Sequence, residues 1–279
     1  MKLRIEKPVV VITPTIGLDS LTQAMTSVAN QTYKNIKHLI VIDGPEYFEK
    51  TLGRVALSND DPKFSLAQLS ENTGQGQFYG HRIYASFPHL VNEDYVAFLD
   101  EDNWWEPNHV ESLVNKIEEN DLDWAHSLRN VYLHEKDGGE FLDQDCCEAI
   151  GRWQIPWFDQ PQFLVDTSSY LFKREILIRC CALWHWGWGG DRRFFMMIKD
   201  QTKYDTSGEH TLNYRLPQMD KAYGGQKDIF KIYNAKIKEQ YGDYPWKLKT
   251  LSSGVSATTN QKTLNPGSTQ SNIPVLKVT

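Results

Sequence analysis

The 279-residue chain has no apolar run near the roughly 18 residues that a membrane-spanning helix needs. The opening MKLRIEKPVVVITP has too short an apolar stretch for a secretory leader, and a proline where a cleavage site would stand. Basic residues do not dominate: 30 Lys and Arg stand against 36 Asp and Glu, a net charge of −6. That balance argues against a nucleic-acid partner. Cysteine is scarce, at four residues in two adjacent pairs, Cys146–Cys147 and Cys180–Cys181. Neither pair has the C-x-x-C spacing of a zinc or redox site, so reduced structural thiols are expected rather than a zinc site built from both pairs. No internal repeat is visible. A globular cytoplasmic protein without a transmembrane segment is the expectation.

What is present alternates. PVVVIT (8–13) and HLIVI (38–42) are short apolar runs rich in β-branched residues, suited to strands buried on both faces. Between them Leu21, Ala24, Met25 and Val28 form one helical stripe that Asp19 or Ser20 can cap. Residues 75–87 read as a helix and 95–99 (YVAFL) as the next strand. Pro107 suits the first turn of a helix carrying Val110, Leu113, Val114 and Ile117. This order predicts an open α/β sheet, mostly parallel, with helices on both faces. Ligands of such sheets bind outside the carboxyl ends of the strands. Three strand ends carry polar residues there: Thr13-Pro14-Thr15, Asp43-Gly44 and Asp100-Glu101-Asp102.

The second half is less regular. Residues 124–133 are expected to pair with 140–142 across the turn at Asp137-Gly138-Gly139. Strands are expected within 163–173 and at 209–216, and helices at 191–199 and 228–241. Residues 251–279, rich in Ser, Thr, Asn and Gln, read as a flexible tail behind a single domain of 1–250. Within that domain about 1–105 form one half and about 106–250 the other.

The acidic cluster calls for a cation. Carboxylates side by side at a strand end repel unless something positive lies between them, and Mg²⁺ or Mn²⁺ prefers oxygen ligands. WHWGWGGDRRFF (184–195) is the other unusual stretch. Its glycines suit a loop that closes over substrate, and tryptophan faces stack on sugars.

VVVITPT, SVANQTYKNIKHLIVIDG, NTGQGQFYGHRIYA, YVAFLDEDNWWEP, TSSYLFKRE and WGWGGDRRFF, in that order, resemble a family 2-type glycosyltransferase with the GT-A fold. The resemblance covers residues 8–216 and places a nucleotide-sugar half before an acceptor half. It implies that Thr13, Pro14 and Thr15 line the base and ribose pocket and that Asp43 accepts the imino N–H of the base. Arg82 would face the phosphates or base, with Asn72 and Gly74 shaping the entry to its helix. Ile83 stands where the family often has asparagine. Asp102 would bind Mn²⁺ or Mg²⁺, joined by His210. Asp100 would reach the ribose or a metal-bound water. Glu101 would point away from the metal, though it is counted with the nucleotide-sugar set. Trp188 and Gly189 would meet the acceptor and Asp191 would act as base, with Asp166 and Asp159 as fallbacks. The implied reaction moves a sugar, with inversion, from a nucleoside-diphosphate sugar to a saccharide or other hydroxyl acceptor. The alternatives are a nucleotidyltransferase of related α/β architecture and a non-catalytic sugar-binding module. TPTIGLDS (13–20) lacks the glycine-rich, basic phosphate loop that the first of these needs.

Overall fold

The computed structural model describes residues 6–57, 64–134, 139–144, 155–157, 160–162, 165–216 and 226–244. Strand β1 (Val9–Thr15) lies parallel between β2 (Ile36–Ile42) and β4 (Tyr95–Phe98), and β3 (Phe64–Gln68) extends the sheet beyond β2. Strand β10 (Tyr170–Lys173) then enters antiparallel, between β4 and β6 (Trp124–Tyr132). Beyond β6 run the parallel β11 (Tyr204–Arg215) and, antiparallel to it, the two-residue β5 (Trp104–Trp105). Strand β7 (Phe141–Gln144) pairs with the end of β6, as expected from the sequence. A separate hairpin joins β8 (Ile155–Trp157) to β9 (Gln160–Gln162). The expected α/β sheet is there, with antiparallel strands in its second half.

Side chains alternate across the strands, as a sheet buried on both faces requires. Val9, Val11, Tyr95, Ala97 and Leu171 pack with α1 (Leu21–Ala29) and α4 (His109–Asn120). Val10, Ile12, Val96, Phe98, Tyr170 and Phe172 face the opposite layer. That layer holds α3 (His81–Ser86), α5 (Arg174–Cys180), α6 (Gly190–Ile198) and α7 (Gln226–Tyr241). Trp184 sits at its centre with no solvent exposure, stacked on Phe194 at 4.4 Å and edge-on to Phe98 and Tyr84. This tryptophan is core rather than a sugar platform. Trp184→Ala is expected to destabilise the fold by about 3–5 kcal/mol. Denaturant unfolding checks it, and a loss under about 1 kcal/mol would contradict this placement.

Several boundaries differ from expectation. The helix expected at 75–87 is only α3, because Gln77 and Tyr79 adopt left-handed φ of 68° and 51° and hold the preceding segment in turns. Neither Asp19 nor Ser20 caps α1: Ser20 makes no cap bond, and Asp19 pairs with Arg54. Pro107 lies two residues ahead of α4. Helix α2 (Phe48–Leu57) and β3 were not expected. Only Thr51 of α2 is buried, and β3 is an edge strand with no buried residue, so neither carries a strong apolar pattern. Cys180 and Cys181 are free thiols, raised in pKa by burial. Cys146–Cys147, Asp137-Gly138, Asp159 and the expected tail at 251–279 lie outside the described residues. Among the described residues no helix is long and apolar enough to cross a membrane.

Candidate active site

Strands β1, β2, β4, β6 and β11 all point their carboxyl ends to one edge. Because β10 runs the other way, its amino end meets them there and delivers Asp166, Thr167 and Ser168. The same edge holds Thr13–Thr15, Asp43 and the acidic turn.

The three acids of the turn have separate environments. Glu101 is buried and engaged with the loop after β1. It accepts hydrogen bonds from Thr15 Oγ1 at 2.5 Å, Ile16 N at 2.9 Å and Leu18 N at 2.8 Å. Burial raises its pKa, against those bonds. Glu101 therefore holds loop 16–18 rather than reaching toward a ligand. Asp100 accepts from the hydroxyl of Tyr84 and, at 3.2 Å, from Ser168 Oγ, and burial raises its pKa. Asp102 has no such support. Burial, followed by the neighbouring charges of Asp100, Glu101 and Asp166, pushes its pKa up to about 8. No described Lys or Arg forms an ion pair with Asp100 or Asp102.

Ser168 ties this edge together, and nothing in the sequence singled it out. Its Oγ accepts from the backbone N–H of Asp100 and from Asn103 Nδ2, each at 3.0 Å. Its N–H donates to Asp166 at 2.9 Å, and its carbonyl accepts from Trp105 Nε1 at 2.8 Å. Asp166 pairs with Arg129 at 2.7 Å, both side chains being buried. Burial still lifts the Asp166 pKa to about 6, with Asp100 and Asp191 opposing the Arg129 charge. Asp166 is thus committed to a buried pair, which leaves it poorly placed as a base.

Asp191 sits in the first turn of α6, whose N-cap is Gly189 at φ 78°. Its Oδ1 accepts from Arg192 N at 2.8 Å. Its charge is felt at Asp100, Asp166, Tyr170 and Tyr214, which brings it to the acidic edge. Gly190 packs on α3 so closely that a Cβ would lie 2.7 Å from His81 Nδ1, and that nitrogen is 2.7 Å from Trp186 O. Trp186 and Trp188 are 49% and 66% exposed, each faced by an arginine: Arg193 over Trp186 at 4.0 Å and Arg192 over Trp188 at 5.2 Å.

The first half of the site is closed by its own loops. Thr13 is buried with its hydroxyl 2.8 Å from His38 Nε2, and burial lowers the His38 pKa to about 3. Pro14 packs under Gly80. Asp43 accepts from Thr73 N and Thr73 Oγ1 at 2.7 Å and from Gly74 N at 2.9 Å. A carboxylate offers about four lone-pair sites, so one remains for a ligand donor. Arg82 lies over the Phe78 ring at 3.7 Å and donates to Thr73 O at 3.0 Å, which braces the same loop. A Cβ at Gly74 would meet Tyr79 O at 2.8 Å and Asp43 Oδ2 at 3.0 Å. Gly74→Ala is expected to displace Asp43 and, where Asp43 meets a nucleotide base, to weaken nucleotide binding by roughly tenfold, a loss of about 1.4 kcal/mol. Calorimetry on the variant checks this, with unchanged affinity as the contrary result.

His210 is not brought to the acidic turn. Strand β11 continues past it to Arg215, whose N–H donates to Asn103 Oδ1 at 3.0 Å, while His210 pairs with Leu128 inside the sheet. At about 3.3 Å per residue, His210 lies roughly 16 Å back along the strand from Arg215. The strand expected at 209–216 begins earlier, at Tyr204, so His210 lies within it. Among the described residues, no three His, Cys, Asp or Glu side chains come together as a ready-made metal site.

The sequence pattern described as Glycosyl transferase family 2 matches residues 10–179. Glycosyltransferase GlyA of Streptococcus pneumoniae is 28% identical over 147 residues, which cover 49% of this chain and 18% of that protein. Glycosyltransferase GlyG of the same organism is 24% identical over 176 residues, covering 56% and 53%. The chain thus spans about half the length of these relatives or less. Among solved structures, S. aureus TarS in complex with UDP-GlcNAc superposes with a TM-score of 0.55 and 13% identity, over 83% of this chain and 66% of that one. That likeness is one of fold. With more than half of its residues inside the family's pattern and the family's sheet beneath its acidic turn, the chain belongs to glycosyl transferase family 2.

Proposed function

We propose that the chain transfers a sugar from a nucleoside-diphosphate sugar to an acceptor hydroxyl, with inversion. The reading is supported by Asp191, in the first turn of α6, lying near enough to the sheet edge for its charge to act on Asp100 and Asp166. Asp102 fits a divalent cation: a buried carboxyl, crowded by acids, gains most when a cation replaces its proton. Mg²⁺ or Mn²⁺ of this kind is held by one or two carboxylates plus substrate phosphates, so a full protein ligand set is not required. Asp102 would hold it, and when bound it would stabilise the diphosphate as a leaving group. Asp100, oriented by Tyr84 and Ser168, would meet the ribose. Asp43 would accept the imino N–H of the base. Asp191 would draw the proton from the acceptor hydroxyl as it attacks the anomeric carbon. Trp188 and Gly189, beside Asp191, would border the acceptor.

A nucleotidyltransferase is disfavoured by the loop after β1. Backbone N–H groups there would have to cradle phosphates, yet Ile16 N and Leu18 N donate to Glu101. A screen of nucleotide sugars with Mn²⁺ tests the proposal by donor hydrolysis. UDP-GlcNAc, the ligand of TarS, is the first to try. Slow release of nucleoside diphosphate is the expected result. Release of monophosphate and pyrophosphate, or no cleavage of any donor, would count against it.

A further inference from the structure

Ser20, Gln23, Ser27 and Asn30 are spaced three, four and three residues apart along α1, so they form one stripe. Thr22 and Thr26 flank it. Across from this stripe stand Trp104, Trp105 and Pro107, and the groove between the two walls has a volume of about 510 Å³. That is within the range of small-molecule sites. Its one charged lining residue is Asp19, already paired with Arg54.

The two tryptophans differ. Trp105 is buried and its N–H is given to Ser168 O. Trp104 is half-buried, and its indole N–H makes no hydrogen bond among the described residues. Arg215 joins the walls: its guanidinium lies 5.2 Å from the Trp104 ring centroid and donates to Gln23 Oε1 at 2.6 Å. The Ser20 hydroxyl, the Gln23 amide nitrogen and the Asn30 amide likewise have no partner among the described residues.

The lining decides the ligand class. Thr22, Thr26 and Ser27 already donate their hydroxyls to backbone carbonyls, but an apolar ligand would strip water from the Ser20 hydroxyl and the Gln23 and Asn30 amides without replacing it. An anion would meet Asp19 at one end of the groove. A neutral polyhydroxylated chain satisfies both walls: hydroxyls to Ser20, Gln23, Asn30 and the Trp104 N–H, and C–H groups to the part of the tryptophan wall that Arg215 and Tyr132 leave open. We propose that this groove is a binding subsite for a neutral oligosaccharide. It adjoins the acidic turn, since Trp104 is two residues past Asp102, but shares no residue with the donor site. The inference needs no donor chemistry and stands apart from the transfer reading.

The test is calorimetric titration of the intact chain with cellotetraose, chitotetraose and maltotetraose, with tetraethylene glycol as control. At least one tetrasaccharide is expected to bind with Kd at or below roughly 1 mM, and more tightly than the glycol. Trp104→Ala should weaken it by roughly tenfold or more, through loss of the ring face. Trp104 also packs on Tyr132 at 4.9 Å, so that variant can lose stability. Thr26→Trp then decides, because it fills the groove from a half-buried helical position. Undiminished binding in Thr26→Trp would overturn the proposal. So would the failure of all three tetrasaccharides to outbind the glycol. Neither result bears on donor hydrolysis, which is read in a separate assay without acceptor.

Discussion

Asp191→Asn should fold normally, bind donor normally and turn over roughly 10²-fold more slowly or worse. The fold is spared because asparagine keeps Oδ1, which accepts the Arg192 N–H at 2.8 Å. It also removes a negative charge that opposes Asp100 and Asp166, so no destabilisation is expected from electrostatics. Donor binding is spared because Asp191 belongs to α6, not to the loops around Asp43 and the acidic turn. What the amide cannot do is take the acceptor proton. A carboxylate on the acceptor side is needed because a neutral hydroxyl is a weak nucleophile until its proton is drawn away. The fallback acid behaves differently. Asp166→Asn leaves Arg129 buried beside a neutral partner, so a stability loss of about 3–5 kcal/mol is expected. Steady-state kinetics beside thermal melts separates the two. Turnover of Asp191→Asn within a factor of about three of wild type would remove Asp191 from the mechanism.

The first half of this fold was legible because each buried strand is a continuous apolar run that ends in a polar break. Val9–Ile12 before Thr13, Ile40–Ile42 before Asp43, and Tyr95–Leu99 before Asp100 needed only parallel packing to converge. The helix start at Asp191 was legible for a local reason, a glycine-rich stretch running into it. Ser168 was not. Its importance comes from β10 running antiparallel into the sheet, a reversal that leaves no mark on TSSYLF itself. Tyr84 was hidden in the same way: it lies on a helix read seven residues too long, where nothing fixed which side chain met Asp100. That Glu101 points away from the metal was implied by the resemblance, but nothing in the sequence showed that three groups of the β1 loop await it. His210 came from the resemblance alone, and β11 places it five residues before the strand's end at Arg215.

If Asp102 holds the metal as proposed, Asp102→Asn should cut Mn²⁺-dependent binding of the donor's nucleoside diphosphate by ~100-fold or more, beyond the loss typical of a disrupted outer shell around a metal. Its effect on stability should have the opposite sign when metal is absent. The Asp102 carboxyl titrates near pH 8 in the folded chain, against an ordinary value of 3.8, because burial and the acids Asp100, Glu101 and Asp166 disfavour its charge. The folded state therefore holds that proton more tightly than the unfolded chain does. Its contribution to stability is fully present below about pH 4 and is lost as pH rises through 8. Asparagine is never ionised, so the variant escapes that loss. Without metal, its melting temperature should equal or exceed that of wild type at pH 7, and the difference should widen toward pH 9. Adding Mn²⁺ and UDP should reverse the order, because a ligand stabilises only the protein that binds it. Thermal melts at three pH values, with EDTA and then with Mn²⁺ and UDP, read all of this in one experiment. Equal UDP affinity in the two proteins would show that Asp102 does not hold the metal. A wild-type affinity unchanged by EDTA would show that no metal is needed, and the acidic turn would then need its positive charge from the donor's surroundings instead.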